Sequence, residues 1–217
     1  MFDYAAARRM MVEGQIRTNS ITDPGIVSGM LNVPRERFLP ESWATLAYSD
    51  REAPVSEGRL VPTPMVLGKL LQAADLTEED RVLHINCATG YGSALLGRIV
   101  KSVVALDEDA ALLARAKAEI EALGLENVTF VNGPLVAGHA ADAPYDVILI
   151  EGAIERVPDA LAAQLAPEGR LLAIVGRGRS AQGTIFRRAG NELSGFPVFD
   201  AAAPMLADFT APKSFVF

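Results

Sequence analysis

The stretch Arg81-Val-Leu-His-Ile-Asn-Cys-Ala-Thr-Gly-Tyr91, followed by Val103-Val-Ala-Leu-Asp107, reads as strand, tight turn, helix, second strand and acidic tip. That order is half of a nucleotide-type binding site in a doubly wound sheet. The turn after the first strand of such a sheet lies against the ligand, and glycine serves there because it tolerates left-handed backbone and close approach. Here only Gly90 and Gly92 remain, with Asn86 and Ala88 upstream. The segment specifies a ligand-binding fold while lacking much of the customary glycine loop.

The rest of the chain supports a parallel sheet covered on both faces. The pattern predicts helix 64–74, strand 82–86, helix 91–100, strand 102–107, helix 109–123, strand 128–131, strand 145–151, helix 157–165 and strand 170–176. Val147-Ile-Leu-Ile150 and Leu171-Leu-Ala-Ile-Val175 are continuous apolar runs, as expected of strands buried on both sides. Residues 184–188 and 214–217 read as antiparallel additions at one edge, separated by a loop rich in Pro and Ala over 201–212. Residues 1–60 read as helices and turns, with a first helix over 4–17 and a second starting at Thr22-Asp-Pro, where proline suits the first helical turn. The expected organisation is a helical extension, residues 1–60, packed on a single α/β unit, residues 61–217.

Composition excludes several functions. A net charge of −7 and an isoelectric point near 4.9, with no basic run, argue against a nucleic-acid groove and against an anionic membrane surface. No stretch approaches the ~18 uninterrupted apolar residues of a membrane span. The N-terminus lacks the charged-then-apolar order of a signal peptide. One cysteine, Cys87, rules out an internal disulfide framework and fits a reducing compartment, so the cytoplasm is the expectation. His84 and His139 share no ligand spacing with each other or with Cys87, which leaves no metal site.

In open sheets the ligand lies beyond the carboxyl ends of the strands, at the point where strand order reverses. Asp107 ends the second strand there, where a fixed carboxylate accepts hydrogen bonds from a ribose diol, or, more plainly, caps the next helix. Gly90 supplies the flexible turn. Asn86 visits left-handed backbone more readily than most residues, whereas Ala88 sets a methyl group where backbone would touch a ligand. His84 either hydrogen-bonds that ligand or satisfies a core position, and Cys87 is either a thiol near a helix N-terminus or a small buried side chain. Glu151, at the tip of the fourth strand, faces the acceptor side or caps the following turn.

Met11-Val-Glu-Gly-Gln-Ile-Arg17, Val33-Pro-Arg-Glu-Arg-Phe38, Ala47-Tyr-Ser-Asp-Arg51, the first-strand loop and Tyr145-Asp-Val-Ile-Leu-Ile150 together resemble the protein-L-isoaspartate O-methyltransferases over most of the chain. The resemblance implies an α/β, Rossmann-like class I methyltransferase fold, S-adenosylmethionine as cofactor, and methyl transfer to an isoaspartyl carboxylate of a protein or peptide substrate in protein repair. Carried over position by position, it implies cofactor contacts at His84, Asn86, Ala88, Gly90, Asp107 and Gly133, and a hydroxyl at Thr63 beside the catalytic position. The chain departs from the family pattern at several of these places. Where the family resembles Gln-Thr-Ile-Ser-Gln-Pro, the chain has Arg59-Leu-Val-Pro-Thr-Pro64, with Pro62 at the serine position. Where the family resembles Leu-Glu-Ile-Gly-x-Gly-x-Gly, the chain has His84 for the acid, Asn86 and Ala88 for the first two glycines, and Gly90 for the third. After the third strand the family's Gly-Asp is Gly133-Pro134. These departures keep two other readings open: a catalytically silent relative that serves as a binding module, and an enzyme with a different cofactor that uses His84 and Cys87 in new roles.

Overall fold

The structure, a computed structural model, describes residues 2–190 and 192–211. Its centre is a seven-stranded sheet in the order β5-β4-β3-β6-β7-β8-β9. The parallel members are β3 (Arg81–Ile85), β4 (Ser102–Asp107), β5 (Val128–Asn132), β6 (Tyr145–Ile154) and β7 (Leu165–Val175). Strand β8 (Gln182–Ala189) and strand β9 (Glu192–Asp200) follow antiparallel at one edge. The chain runs outward through β3, β4 and β5, then returns to lay β6 on the other side of β3. The crevice therefore opens at the carboxyl ends of β3 and β6, where such sheets bind ligands. The apolar runs of β6 and β7 are buried on both faces, Ile148, Ile150, Leu171 and Leu172 being fully enclosed.

Helix α3 (Pro64–Ala73) enters with Pro64 at its first turn and Thr63 as its cap. Helices α4 (Tyr91–Leu96), α5 (Ala110–Ala122) and α6 (Asp159–Ala163) follow strands β3, β4 and β6. N-terminal to them, α1 (Tyr4–Met11) and α2 (Pro24–Asn32) are capped by Asp3 and Asp23, whose carboxylates accept from Ala6 and Ile26 N–H. Met11, Ile16, Ile26 and Met30 from this region share one buried cluster with Leu67, Leu70, Leu95, Val147 and Leu172.

Several expectations change. The helix expected over 4–17 stops at Met11, continues as a wider turn over Val12–Ile16 and a tighter one over Arg17–Asn19, and ends on Ser20 at a φ of 62°. Residues 1–60 are not all helix and turn: a hairpin of β1 (Ala53–Ser56) and β2 (Arg59–Val61) precedes α3, pairing Ala53 with Val61 and Ser56 with Arg59. The second antiparallel edge strand is β9; the expectation for 214–217 lies outside the described residues. Strand β6 also runs past Glu151 to Ile154, and β7 begins at Leu165.

One ion pair locks the end of α3 to the sheet away from the crevice. Asp80, 6% exposed, receives Arg170 through Nη2 to Oδ2 at 2.8 Å and Nη1 to Oδ1 at 3.3 Å. The same guanidinium donates to the carbonyls of Ala74 and Asp75. Removing one partner strands the other charge in a nearly dry site. Arg170→Ala is expected to lower unfolding stability by about 2–4 kcal/mol in urea titrations, without altering ligand binding at the far end of the strands.

Candidate functional site

Asp107 sits at the last position of β4 with no exposed surface. Its Oδ2 accepts the Ala88 N–H at 2.8 Å and its Oδ1 the Asp109 N–H at 3.0 Å, which ties the first-strand loop and the entry of α5 to one carboxylate. The remaining face is covered by Arg59 from the hairpin. Its Nη2 lies 3.0 Å from Oδ2 and 3.2 Å from Oδ1, its Nη1 3.2 Å from Oδ1. Nη2 also donates to Asn86 Oδ1 at 2.6 Å. The Arg59 side chain is 23% exposed, so one flank of the pair meets solvent.

The first-strand loop keeps a left-handed path without its glycines. Asn86, Ala88 and Gly90 have φ of 62°, 49° and 89°. Asn86 is held there by its side chain, which donates from Nδ2 to the Glu151 carbonyl at 2.7 Å while accepting from Arg59. The Ala88 methyl does not narrow the crevice as its sequence position suggested: Ala88 is 1% exposed and belongs to the buried cluster with Tyr91, Ala94 and Leu95. Gly90 is needed for packing as well as for its φ, since a Cβ there would lie 2.9 Å from the Ala116 methyl.

Beneath the loop is a buried polar chain. His84 Nδ1 lies 2.8 Å from Ser93 Oγ and Nε2 lies 3.0 Å from Glu151 Oε2, all three residues being at most 2% exposed. Glu151 thus neither faces an acceptor nor caps a turn; it is buried as the partner of His84 on β3. With Ser93 sealed from solvent, the trio resembles a hydrolytic relay in composition only. Gly92 allows it: a Cβ there would stand 2.7 Å from His84 Cε1 and closer still to Glu151 Oε2.

Thr63 and Gly133 are placed beside the crevice but already employed. The Thr63 hydroxyl accepts from Val66 N–H at 3.3 Å as the cap of α3. Gly133 N–H and Asn132 Nδ2 both donate to the Asp107 carbonyl at 3.1 Å. Cys87 is 1% exposed, and burial, followed by the nearby Asp107 and Glu151 charges, pushes its thiol well above the ordinary range, which disfavours the thiolate in the folded protein. His139 pairs instead with Asp142 at 3.2 Å. Among the described residues no group of three or more His, Cys, Asp and Glu is placed to hold a metal ion, and no helix is long and apolar enough to cross a membrane.

Sequence reasoning missed Arg35 and Tyr91 as a unit and Arg59 as the partner of Asp107. Arg35 is 1% exposed, donates to the carbonyls of Ala47 and Pro62 at 3.1 Å each, and stacks 4.8 Å from the Tyr91 ring centroid. Burial pulls its guanidinium below the usual value. The one available signal for Arg59 was the exchange of glutamine for arginine at the start of the Arg59–Pro64 segment. An open cavity of about 550 Å³, lined by Lys69, Gln72, Arg187 and Phe199 among others, shares no residue with this cluster.

The sheet order, the reversal between β3 and β6 and the acid at the tip of β4 define a class I, Rossmann-like methyltransferase fold. The family model for protein-L-isoaspartate(D-aspartate) O-methyltransferase matches residues 6–196. The chain is 37% identical over 179 residues to protein-L-isoaspartate O-methyltransferase 1 of Rhodopseudomonas palustris, covering 82% of this chain and 73% of that one. It is 38% identical over 192 residues to the Roseiflexus sp. enzyme of the same name, covering 88% and 87%. A solved protein-L-isoaspartate O-methyltransferase superposes with a TM-score of 0.77 at 25% identity, over 92% of this chain and 66% of its own. A Plasmodium falciparum structure described as a beta-aspartate methyltransferase in complex with S-adenosyl-L-homocysteine shares the fold, with a TM-score of 0.77 at 15% identity over 95% and 99%. The chain belongs to the protein-L-isoaspartate O-methyltransferase family.

Two outcomes follow from this geometry. Gly92→Ala is expected to push apart the His84–Glu151 pair and destabilise the fold by about 1–3 kcal/mol, read by chemical unfolding. Tyr91 is buried and its hydroxyl meets no protein partner among the described residues. Burial, partly offset by Arg35, raises its pKa from 10.0 to about 12. The neutral phenol therefore favours the folded state fully below pH 10, and that contribution is lost as pH rises towards about 12. Tyr91→Phe should be neutral or stabilising by up to about 1 kcal/mol at pH 8, and its advantage over the parent should widen between pH 10 and 12.

Proposed function

We propose that the chain binds S-adenosylmethionine across the carboxyl ends of β3, β4 and β6 and methylates an isoaspartyl carboxylate of a protein or peptide. The observation that carries this reading is Asp107, an acid at the tip of β4 touching the first-strand loop, inside a family match that spans both. The residues present fit such a cofactor in kind. Asp107 offers a carboxylate suited to a ribose diol, and Asn86, Ala88 and Gly90 take the left-handed backbone that glycines would give. Asn86, Ala88 and Gly133 support this reading by their contacts to Arg59 or Asp107, and His84, Gly90 and Thr63 join the proposed site through the family resemblance.

When bound, the cofactor supplies an electrophilic methyl on a sulfonium, and an ionised carboxylate acceptor needs no general base. The protein's part is to orient and to exclude water. Asp107 and the loop orient one side, and the clamped Arg59–Pro64 segment covers the other. The acidic surface disfavours nucleic acid as substrate, and the single buried thiol suits the cytoplasm.

A second reading, a catalytically silent fold, is favoured by Arg59 lying over Asp107 and by proline at positions 62 and 134. Calorimetric titration with S-adenosylhomocysteine, paired with methyl transfer from labelled S-adenosylmethionine to an isoaspartyl peptide, separates the two. Micromolar binding that weakens at least a hundredfold in Asp107→Ala, with labelled peptide formed, supports the methyltransferase. No binding up to millimolar would sink it and leave the silent fold; binding without peptide labelling would keep the cofactor and remove the isoaspartyl acceptor.

A further inference from the structure

The Asp107 carboxylate has two faces, and the chain itself occupies both. Backbone N–H groups of Ala88 and Asp109 take the inner one. On the outer one, which a ribose diol would need, the Arg59 guanidinium makes three contacts of 3.0–3.2 Å and anchors itself on Asn86 at 2.6 Å. A hydroxyl pair cannot donate to the same carboxylate lone pairs while the guanidinium holds them. Among the described residues β1 and β2 form a two-stranded sheet apart from the main one, and Ala53, Val55 and Val61 pack that hairpin into the shared core, so the movable part is the Arg59 side chain. The hairpin's turn at Gly58 has a φ of 71° and open space around it, and Leu60 is 40% exposed. The Arg59 side chain is 23% exposed, and none of its contacts to Asp107 and Asn86 is a backbone bond of the seven-stranded sheet.

We propose that Arg59 is an internal competitor for the ligand face of Asp107, and that its release from Asp107 and Asn86 sets the affinity of the crevice for a nucleoside-bearing cofactor. This rests on the reading of the crevice as a cofactor site. The guanidinium fills the outer face of Asp107 when no ligand is bound, and the ligand's diol takes over those hydrogen bonds as Arg59 withdraws. Affinity is then a difference between two sets of contacts to one carboxylate, and it rises when the competing set is removed.

The test is calorimetric titration of the full chain with S-adenosylhomocysteine, comparing the parent with Arg59→Ala, Arg59→Gln and Asp107→Ala, each first checked by thermal melting. Arg59→Gln keeps a neutral side-chain donor near the buried acid, so it decides the matter if Arg59→Ala does not fold. Tightening by tenfold or more in the Arg59 variants supports the proposal, including the case in which binding is measurable only in them. A purely structural role for Arg59 predicts the opposite sign. Unchanged or weaker binding in both variants, with the parent binding, overturns the proposal and leaves the cofactor reading standing. No binding in the parent or in either variant up to millimolar overturns both.

Discussion

Everything at the crevice hangs on a charged carboxylate that the fold has removed from water. Asp107 fixes the first-strand loop through Ala88 and the start of α5 through Asp109, and its carbonyl receives Gly133 and Asn132 from the exit of β5. These are hydrogen bonds from neutral groups, so they orient the acid without cancelling its charge. An uncompensated buried charge costs about 3–5 kcal/mol, so the Arg59 contact adds a charged tie to a hairpin that Ala53, Val55 and Val61 already pack into the core. Loop, helix, strand exit and hairpin therefore share one anchor.

The loop shows that backbone path and loop chemistry are separable. Left-handed residues other than glycine carry strain of order 1 kcal/mol each, and the chain accepts it at residues 86 and 88. Asn86 offsets the strain with hydrogen bonds to Arg59 and to the Glu151 carbonyl, and Ala88 with a methyl buried in the core. The acid missing from β3 is matched by Glu151 on the neighbouring strand, and His84 spans the gap between Glu151 and Ser93. Gly92 lets α4 lie close enough for that chain to be buried.

The parallel strands were legible because burial on both faces leaves uninterrupted apolar runs such as Val147–Ile150, and Asp107 was legible because it ends one. The hairpin was not, since strands of a few residues split by Pro54 and Gly58 carry no usable period. Strand β9 was hidden by Gly195 and Pro197, which break the alternation, and by an outer face that is largely exposed. At the site, the sequence pointed to positions but not to their partners. Arg59 and Asp107 are 48 residues apart, and His84 and Glu151 are 67 apart. Such pairings follow from strand order and crossover geometry, which no local pattern records. Thr63 enters as a candidate through the family resemblance, and in the structure its hydroxyl caps the helix that the sequence already starts at residue 64.

Two arginines hold the segment that leads from the hairpin into α3, and they do so by different means. Arg59 grips the sheet through a carboxylate and an amide, contacts that a polar ligand competes for. Arg35 grips Pro62 and Ala47 through backbone carbonyls and lies on the Tyr91 ring, contacts that no ligand in the crevice replaces. The Pro62 end is therefore fixed whatever the state of the site, while the Arg59 end is conditional. Proline at position 62 suits this division, because its carbonyl is free to take the Arg35 guanidinium while its locked φ fixes the entry into α3. Proline at 62 and arginine at 59 belong together on this view: the segment offers no hydroxyl at 62 and instead carries, at its start, the group that covers the acid at the tip of β4.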